Sequence, residues 1–246
     1  MKKRVLLVVL TVISIFSITK NVDAKEVYYT TAQGIELTEE EYTFLTNFYW
    51  SGYPDVMTQD DYNQFVADDI FHSEVRYKTN EPSAELYGPT RSTSYTTSTK
   101  RLQIGAACLP TKCYISIVNT WLIDPSVTSW DVIGAYLDGI SLKAHSHTYV
   151  STTNTTTYFD NLQTESDGLG NSVNLPDDGT DIIVNMDFTV SRGGTVFGSY
   201  QHSTENTTLA NSKLYHIDFC GYGNVFDFYG TAFGVYDGMN GVDIDV

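Results

Sequence analysis

The sequence predicts a mainly β protein, an antiparallel β-sandwich or jelly-roll-like domain preceded by a short N-terminal helical pair. Three observations carry that expectation. Ile182, Val184, Met186, Phe188 and Val190 fall on one parity and Asn185, Asp187, Thr189 and Ser191 on the other, the pattern of a strand with one face in a core and one in water. Short β-branched and aromatic runs, separated by Gly and Pro turns, recur from Leu102 to the C-terminus. Helical spacing is confined to residues 35–71.

The chain opens Met1–Lys2–Lys3–Arg4, runs apolar from Val5 to Ile18 and reaches Val22–Asp23–Ala24. A basic start, a short apolar run and small residues before a cut describe a secretory signal peptide over residues 1–24. The rival reading, a membrane anchor, needs roughly 20 apolar residues, and this run is shorter. The remainder is expected to be extracellular, without stable membrane insertion. Removing Lys2, Lys3, Arg4, Lys20 and Asp23 (four positive charges and one negative) takes the net charge from −16 to −19. So acidic a surface repels phosphate backbones, and nucleic acid is not an expected partner.

Residues 25–77 hold the helical pair. Thr38–Glu39–Glu40–Glu41 is a capping box, and Tyr42, Leu45, Phe48 and Tyr49 follow at three- and four-residue spacing. Gly52 and Pro54 end that helix, and Thr58–Gln59–Asp60–Asp61 starts another with Tyr62, Phe65 and Val66 as its apolar face. Residues 78–100, rich in Ser and Thr, read as a linker or an edge strand, and residues 101–246 as the sandwich domain. Strands are expected over Tyr114–Leu122, Ser129–Leu137, Lys213–Phe219, Asn224–Phe228 and Val242–Val246, with Ser151–Thr157 repeating the threonine pattern. Gly168, Gly170, Pro176 and Gly179 mark a long loop. Arg192–Gly193–Gly194 reads as a hairpin turn. A three-residue loop sets Val190 opposite Val196, Phe188 opposite Gly198, Met186 opposite Tyr200 and Val184 opposite His202, whereas a two-residue loop mixes apolar with polar positions. The first register is favoured, with Gly194 left-handed.

The stretch from Ile35-Glu-Leu-Thr-Glu-Glu-Glu-Tyr42 to Gly52-Tyr-Pro-Asp-Val-Met-Thr-Gln-Asp-Asp-Tyr62 resembles the start of uncharacterised proteins exported by Gram-positive bacteria. Trp130-Asp-Val-Ile-Gly134, Ser199-Tyr-Gln-His202 and Tyr236-Asp-Gly-Met-Asn-Gly-Val242 are similar to later parts of the same group. The resemblance implies export and no activity.

Three cysteines in an exported chain imply one disulfide and one spare thiol. Cys108–Leu109–Pro110–Thr111–Lys112–Cys113 reads as a tight interstrand loop, so Cys108 pairs with Cys113. Cys220 is then a buried structural cysteine, pairing with either of the others being the alternative. The serine-hydrolase elbow, the zinc-protease helix and the phosphate loop are absent. His145 and His147 share a face if they lie on a regular strand, and could hold a metal with His202 or His216 as a third ligand. Two surface histidines are the plainer reading. Asp177, Asp178 and Asp181 in one loop, and Asp237, Asn240 and Asp243 in another, offer oxygen donors for a structural calcium ion. Asp-Gly turns explain the same residues. His202 is expected on the inward face, neutral and hydrogen-bonded, with a catalytic role only if it has a partner. Cys220 beside His216 or His202 would make a thiol nucleophile pair. Trp121, Trp130, Tyr200 and His202 are the candidate binding residues, because aromatic rings stack on sugars or anchor protein partners.

No cofactor is expected beyond that calcium ion. These features together point to an extracellular binding protein for a surface glycan or a protein ligand, without catalysis. Its rivals are an extracellular hydrolase, such as a glycosidase with a carboxylate pair, and a small β-pore-forming toxin, whose membrane hairpin would alternate apolar and polar residues. Oligomeric state is not legible.

Overall fold

The structure is a computed structural model, describing residues 25–76, 94–96, 98–177, 179–207, 214–220, 224–237 and 239–246. The signal-peptide reading lies outside them. The first elements are β1 (Tyr29–Thr30), β2 (Glu36–Leu37), α1 (Glu39–Phe48), α2 (Tyr53–Val56), α3 (Gln59–Ala67) and a 3-10 turn at Ile70–His72. Strands follow as β3 (Glu74–Arg76), β4 (Ser94–Thr96), β5 (Lys100–Cys108), β6 (Lys112–Trp121), β7 (Trp130–Asp138), β8 (Leu142–Ser151), β9 (Thr156–Tyr158), β10 (Gln163–Glu165), β11 (Gly168–Asn174), β12 (Ile183–Ser191), β13 (Thr195–Gln201), β14 (Tyr215–Ile217), β15 (Phe226–Phe228) and β16 (Val242–Asp245).

Among the described residues, one sheet has seven strands in the order β3-β5-β6-β12-β8-β9, with β4 also on β5, and the other has five in the order β10-β11-β7-β13-β16. Every strand pairing among the described residues is antiparallel. Ile104, Ile115, Ile117, Val184, Met186, Phe188 and Val190 from the larger sheet meet Ile133, Ala135, Leu137, Val196 and Tyr200 from the smaller in one core. The expected mainly β antiparallel sandwich is the fold.

The hairpin expectation is wrong in its pairing. β12 lies between β6 and β8, whereas β13 lies between β7 and β16 in the opposite sheet. Arg192–Gly193–Gly194 carries the chain across the sandwich rather than back alongside itself. Parity identified the inward side chains, because Val190 and Val196 both point into the core. Parity says nothing about whether two such strands share a sheet or face each other across it. The left-handed residue is Gly193 (φ 98°), and Gly194 is needed for another reason: a Cβ there would stand 2.1 Å from the Asp138 carbonyl oxygen.

Both outer faces of the sandwich are covered. The capping boxes at Thr38/Glu41 and Thr58/Asp61 start α1 and α3 as expected, and Pro54 opens the additional short α2 in the first helical turn, where its missing N–H costs nothing. Phe44, Leu45, Phe48, Tyr49, Trp50, Tyr53 and Phe65 bury themselves against Ala107, Tyr114 and Tyr149 on the outside of the seven-stranded sheet. Asn185, Asp187 and Thr189, expected in water, lie buried on β12. On the other side, Tyr215, Ile217, Val225 and Phe226 of the β14–β15 ribbon pack on Val132 and Phe197 of the five-stranded sheet. The expected loop around Gly168 is strand β11. Its glycines let the ribbon approach, since a Cβ on Gly168 would meet Ile217 Cγ2 at 2.3 Å.

Cys108 and Cys113 are disulfide-bonded across the β5–β6 turn, as expected. Cys220 is exposed rather than buried, because it lies past the end of β14 in the outer ribbon. No helix among the described residues is long and apolar enough to cross a membrane.

Candidate functional site

One end of the sandwich gathers the polar groups that alternation points inward. Lys100 begins β5 opposite Trp121, the last residue of β6. Asp131 lies near the start of β7 and His202 just past β13, whose Gln201 pairs with Val132. Asp131 shares its parity with Ile133, Ala135 and Leu137 and is fully buried. It accepts from Tyr200 Oη, from the Ser203 backbone N–H at 2.9 Å and from His202 Nδ1, 3.0 Å from both of its oxygens. Burial pushes its carboxyl above the ordinary range, and His202, Tyr200 and the Ser203 amide partly offset that. Burial, with Asp131 beside it, raises the Tyr200 phenol well above 10.

Around this pair, Trp121 Nε1 donates to Tyr200 Oη at 3.2 Å, and the indole meets the His202 imidazole edge-on at 4.7 Å. The buried Lys100 ammonium lies 5.2 Å from the Trp121 ring and 5.5 Å from the Tyr200 ring, and pairs with Asp237. Asp237 also accepts from the His202 backbone N–H at 2.9 Å. With Nδ1–H given to Asp131, Nε2 of a neutral His202 is left to accept a proton or a ligand hydrogen bond. That is the orienting half of a general-base arrangement.

The structure thus brings together Trp121, Tyr200 and His202. Trp130 stands one residue from Asp131 but turns to the outer face, near Phe159 and within the ribbon's core. Asp131 and Lys100 were missed. The available signal was that both parities are apolar from Val132 to Leu137, so an acid at the inner-parity position next to that run, Asp131, has to be buried, unlike Asp138 at the strand's exposed end.

The structure does not bring the two histidines onto one face. A β-bulge sets His147 opposite Asp187 but His145 opposite Phe188, so the two point to opposite faces of the sheet. His145 bonds Thr148 Oγ1 at 2.9 Å, and burial holds its pKa down to about 4. His147 lies 3.2 Å from Asp61 of α3, which raises its pKa. His202 is held by Asp131, and His216 stacks on Tyr229. In the two acidic loops, Asp177 accepts from Thr128, Asp181 accepts from Thr153 at 3.1 Å, and Asp237 is held by Lys100. Asp178 lies outside the described residues. Asn240 precedes β16, and Asp243 sits on it opposite Phe197. Among the described residues, no group of three or more His, Cys, Asp or Glu side chains is placed to hold a metal ion. Although Cys220 is exposed, the loss of some of its water to neighbouring atoms, with Asp227 and Asp218 nearby, raises its thiol, the opposite of what a nucleophile needs.

Comparison with protein-family models, curated proteins and solved structures finds no match.

Proposed function

We propose that this is a secreted, non-catalytic binding protein that engages a protein or a surface glycan outside the cell. The observation that carries the reading is the commitment of the end-cluster carboxylates. Asp131 is held by three donors, and Asp237 by Lys100 and a backbone amide. A glycosidase needs its two carboxyl groups free to face substrate and water, and these are taken up by the protein's own donors, Asp131 fully buried. Exposed apolar side chains stand next in sequence to this end, Leu122 and Ile123 directly after Trp121, and Phe233, 76% exposed, lies on the segment that leads to Asp237. Such residues serve as contact points for a partner. The disulfide and the acidic surface support an extracellular setting without nucleic acid.

Screening the protein against glycan arrays and cell-surface proteins tests this. Binding should weaken in Ile123→Ser and Phe233→Ser while the melting temperature stays unchanged. The Asp131–His202 pair favours one second reading, hydrolysis with His202 as base. Turnover of chromogenic glycosides or esters that disappears in a folded His202→Gln variant would replace the binding reading with that one.

A further inference from the structure

Asp187 lies where the helical layer meets the seven-stranded sheet, and its two oxygens are unequally served. Oδ2 accepts from Tyr149 Oη at 3.0 Å, while Oδ1 is buried without a hydrogen-bond partner. Asn185, two residues away on the same face, donates to Ser116 Oγ at 2.9 Å and leaves its own Oδ1 unpartnered. Two buried acceptors on one face of β12 therefore lack hydrogen-bond donors. A proton on Asp187 turns one of them into a donor. The groups facing Asp187 are Tyr149 and His147 from β8, Ser116 from β6, and Tyr49 and Tyr53 from the helical layer. His147 is in turn paired with Asp61 of α3. Beyond them, Lys112 and Tyr114 of β6 hold Asp68, just past α3.

We propose that Asp187, with the His147–Asp61 pair beside it, is an acid-tightened latch: the helical layer grips the sheet most firmly when Asp187 is protonated and loosens as pH rises toward neutrality. Burial supports this by raising the Asp187 carboxyl from 3.8 to about 7, against the smaller opposing pull of Tyr149, of the polar groups of Asn185 and Ser116, and of the His147 charge. When the layer lifts, the carboxyl meets water and returns toward its ordinary value. Between roughly pH 4 and 7 the closed form then binds one more proton than the open form, so closure weakens with rising pH and levels off above 7. The raised His147 acts in the same direction. Its contribution is whole below 6.5 and is lost as pH rises through its folded value. Asp61 is depressed, chiefly by His147 and Thr58 against its own burial. Its contribution is present above 3.8 and is lost only in stronger acid. His145 opposes, favouring the folded state as pH rises from about 4 to 6.5. It bonds Thr148 on the inward face, so it senses loss of the sandwich rather than lifting of the layer.

Hydrogen exchange on the full chain, corrected for intrinsic exchange chemistry, separates α1 and α3 from the inner strands. Opening of residues 39–67 should rise by roughly tenfold per pH unit between about pH 5 and 7. Asp187→Asn, which mimics the protonated acid, should flatten that rise. His147→Gln should remove the part above about pH 6.5 and, by taking away a charge that lowers Asp187, move the end of the remaining rise to higher pH. A wild-type opening equilibrium that does not change with pH would overturn the latch, and so would an Asp187→Asn protein that keeps the full slope. Should the Asn variant not fold, Asp187→Ser serves the same comparison, and the wild-type profile alone can still refute the proposal.

Discussion

Asp131 and Asp187 are the same residue type, each buried in a strand of the sandwich, and each is pushed above the ordinary carboxylate range by burial. Their surroundings differ. Asp131 has a phenol, an imidazole and a backbone amide as donors, and it ties β7 to the chain leaving β13. Asp187 has one phenol and one orphaned oxygen beneath a layer of aromatic side chains. A buried acid with enough donors is a fixed joint, and one without them is a joint whose strength depends on its proton.

The largest expected effect concerns the layer that covers Asp187. A chain beginning near Leu86 loses Leu45, Phe48, Trp50, Tyr53 and Phe65, each contributing about 1.5–3 kcal/mol on burial, and uncovers Tyr114 and Tyr149. It should melt at much lower temperature and aggregate. An unchanged melting temperature and solubility would make the layer a detachable arm. Next comes Asp131→Ala, which strands the Tyr200 hydroxyl and the His202 Nδ1–H and should cost about 1–3 kcal/mol for each in urea unfolding. A loss near zero would show that Asp131 is no joint. Gly168→Ala presses a methyl group into Ile217 of the ribbon. It should cost about 1–3 kcal/mol by overpacking, with the aromatic signals of Tyr215 and Phe226 shifting in the NMR spectrum and those of Trp50 unmoved.

Sequence period revealed the sandwich and both capping boxes, because alternation and helix starts are local properties. The pairing of β12 and β13 was not legible, since an inward parity looks alike in a hairpin and in a crossing between sheets. Strand β11 hid behind its glycines, which read as loop punctuation until the ribbon that packs on them is known. The bulge at Ser146 defeated the histidine pair, as one extra residue reverses a face. At the candidate site, Tyr200, Trp121 and His202 were legible as aromatic or inward residues. Their partners Asp131, Lys100 and Asp237 come from strands and loops far apart in sequence, and Asp187 was assigned to water because the helical layer's docking face was unknown.

The smallest effect distinguishes the two acids most directly. Thermal melts of wild type and Asp187→Asn at about pH 5 and about pH 8 cancel, in the difference between the proteins, every titrating group that does not interact with Asp187, leaving Asp187 and its coupling to His147. The two should melt together near pH 5, where Asp187 carries its proton, and Asp187→Asn should melt several degrees higher near pH 8, where the wild type must bury a charge. An equal gap at both pH values, or a variant less stable at pH 8, would contradict the claim that Asp187 is held in the fold as an acid.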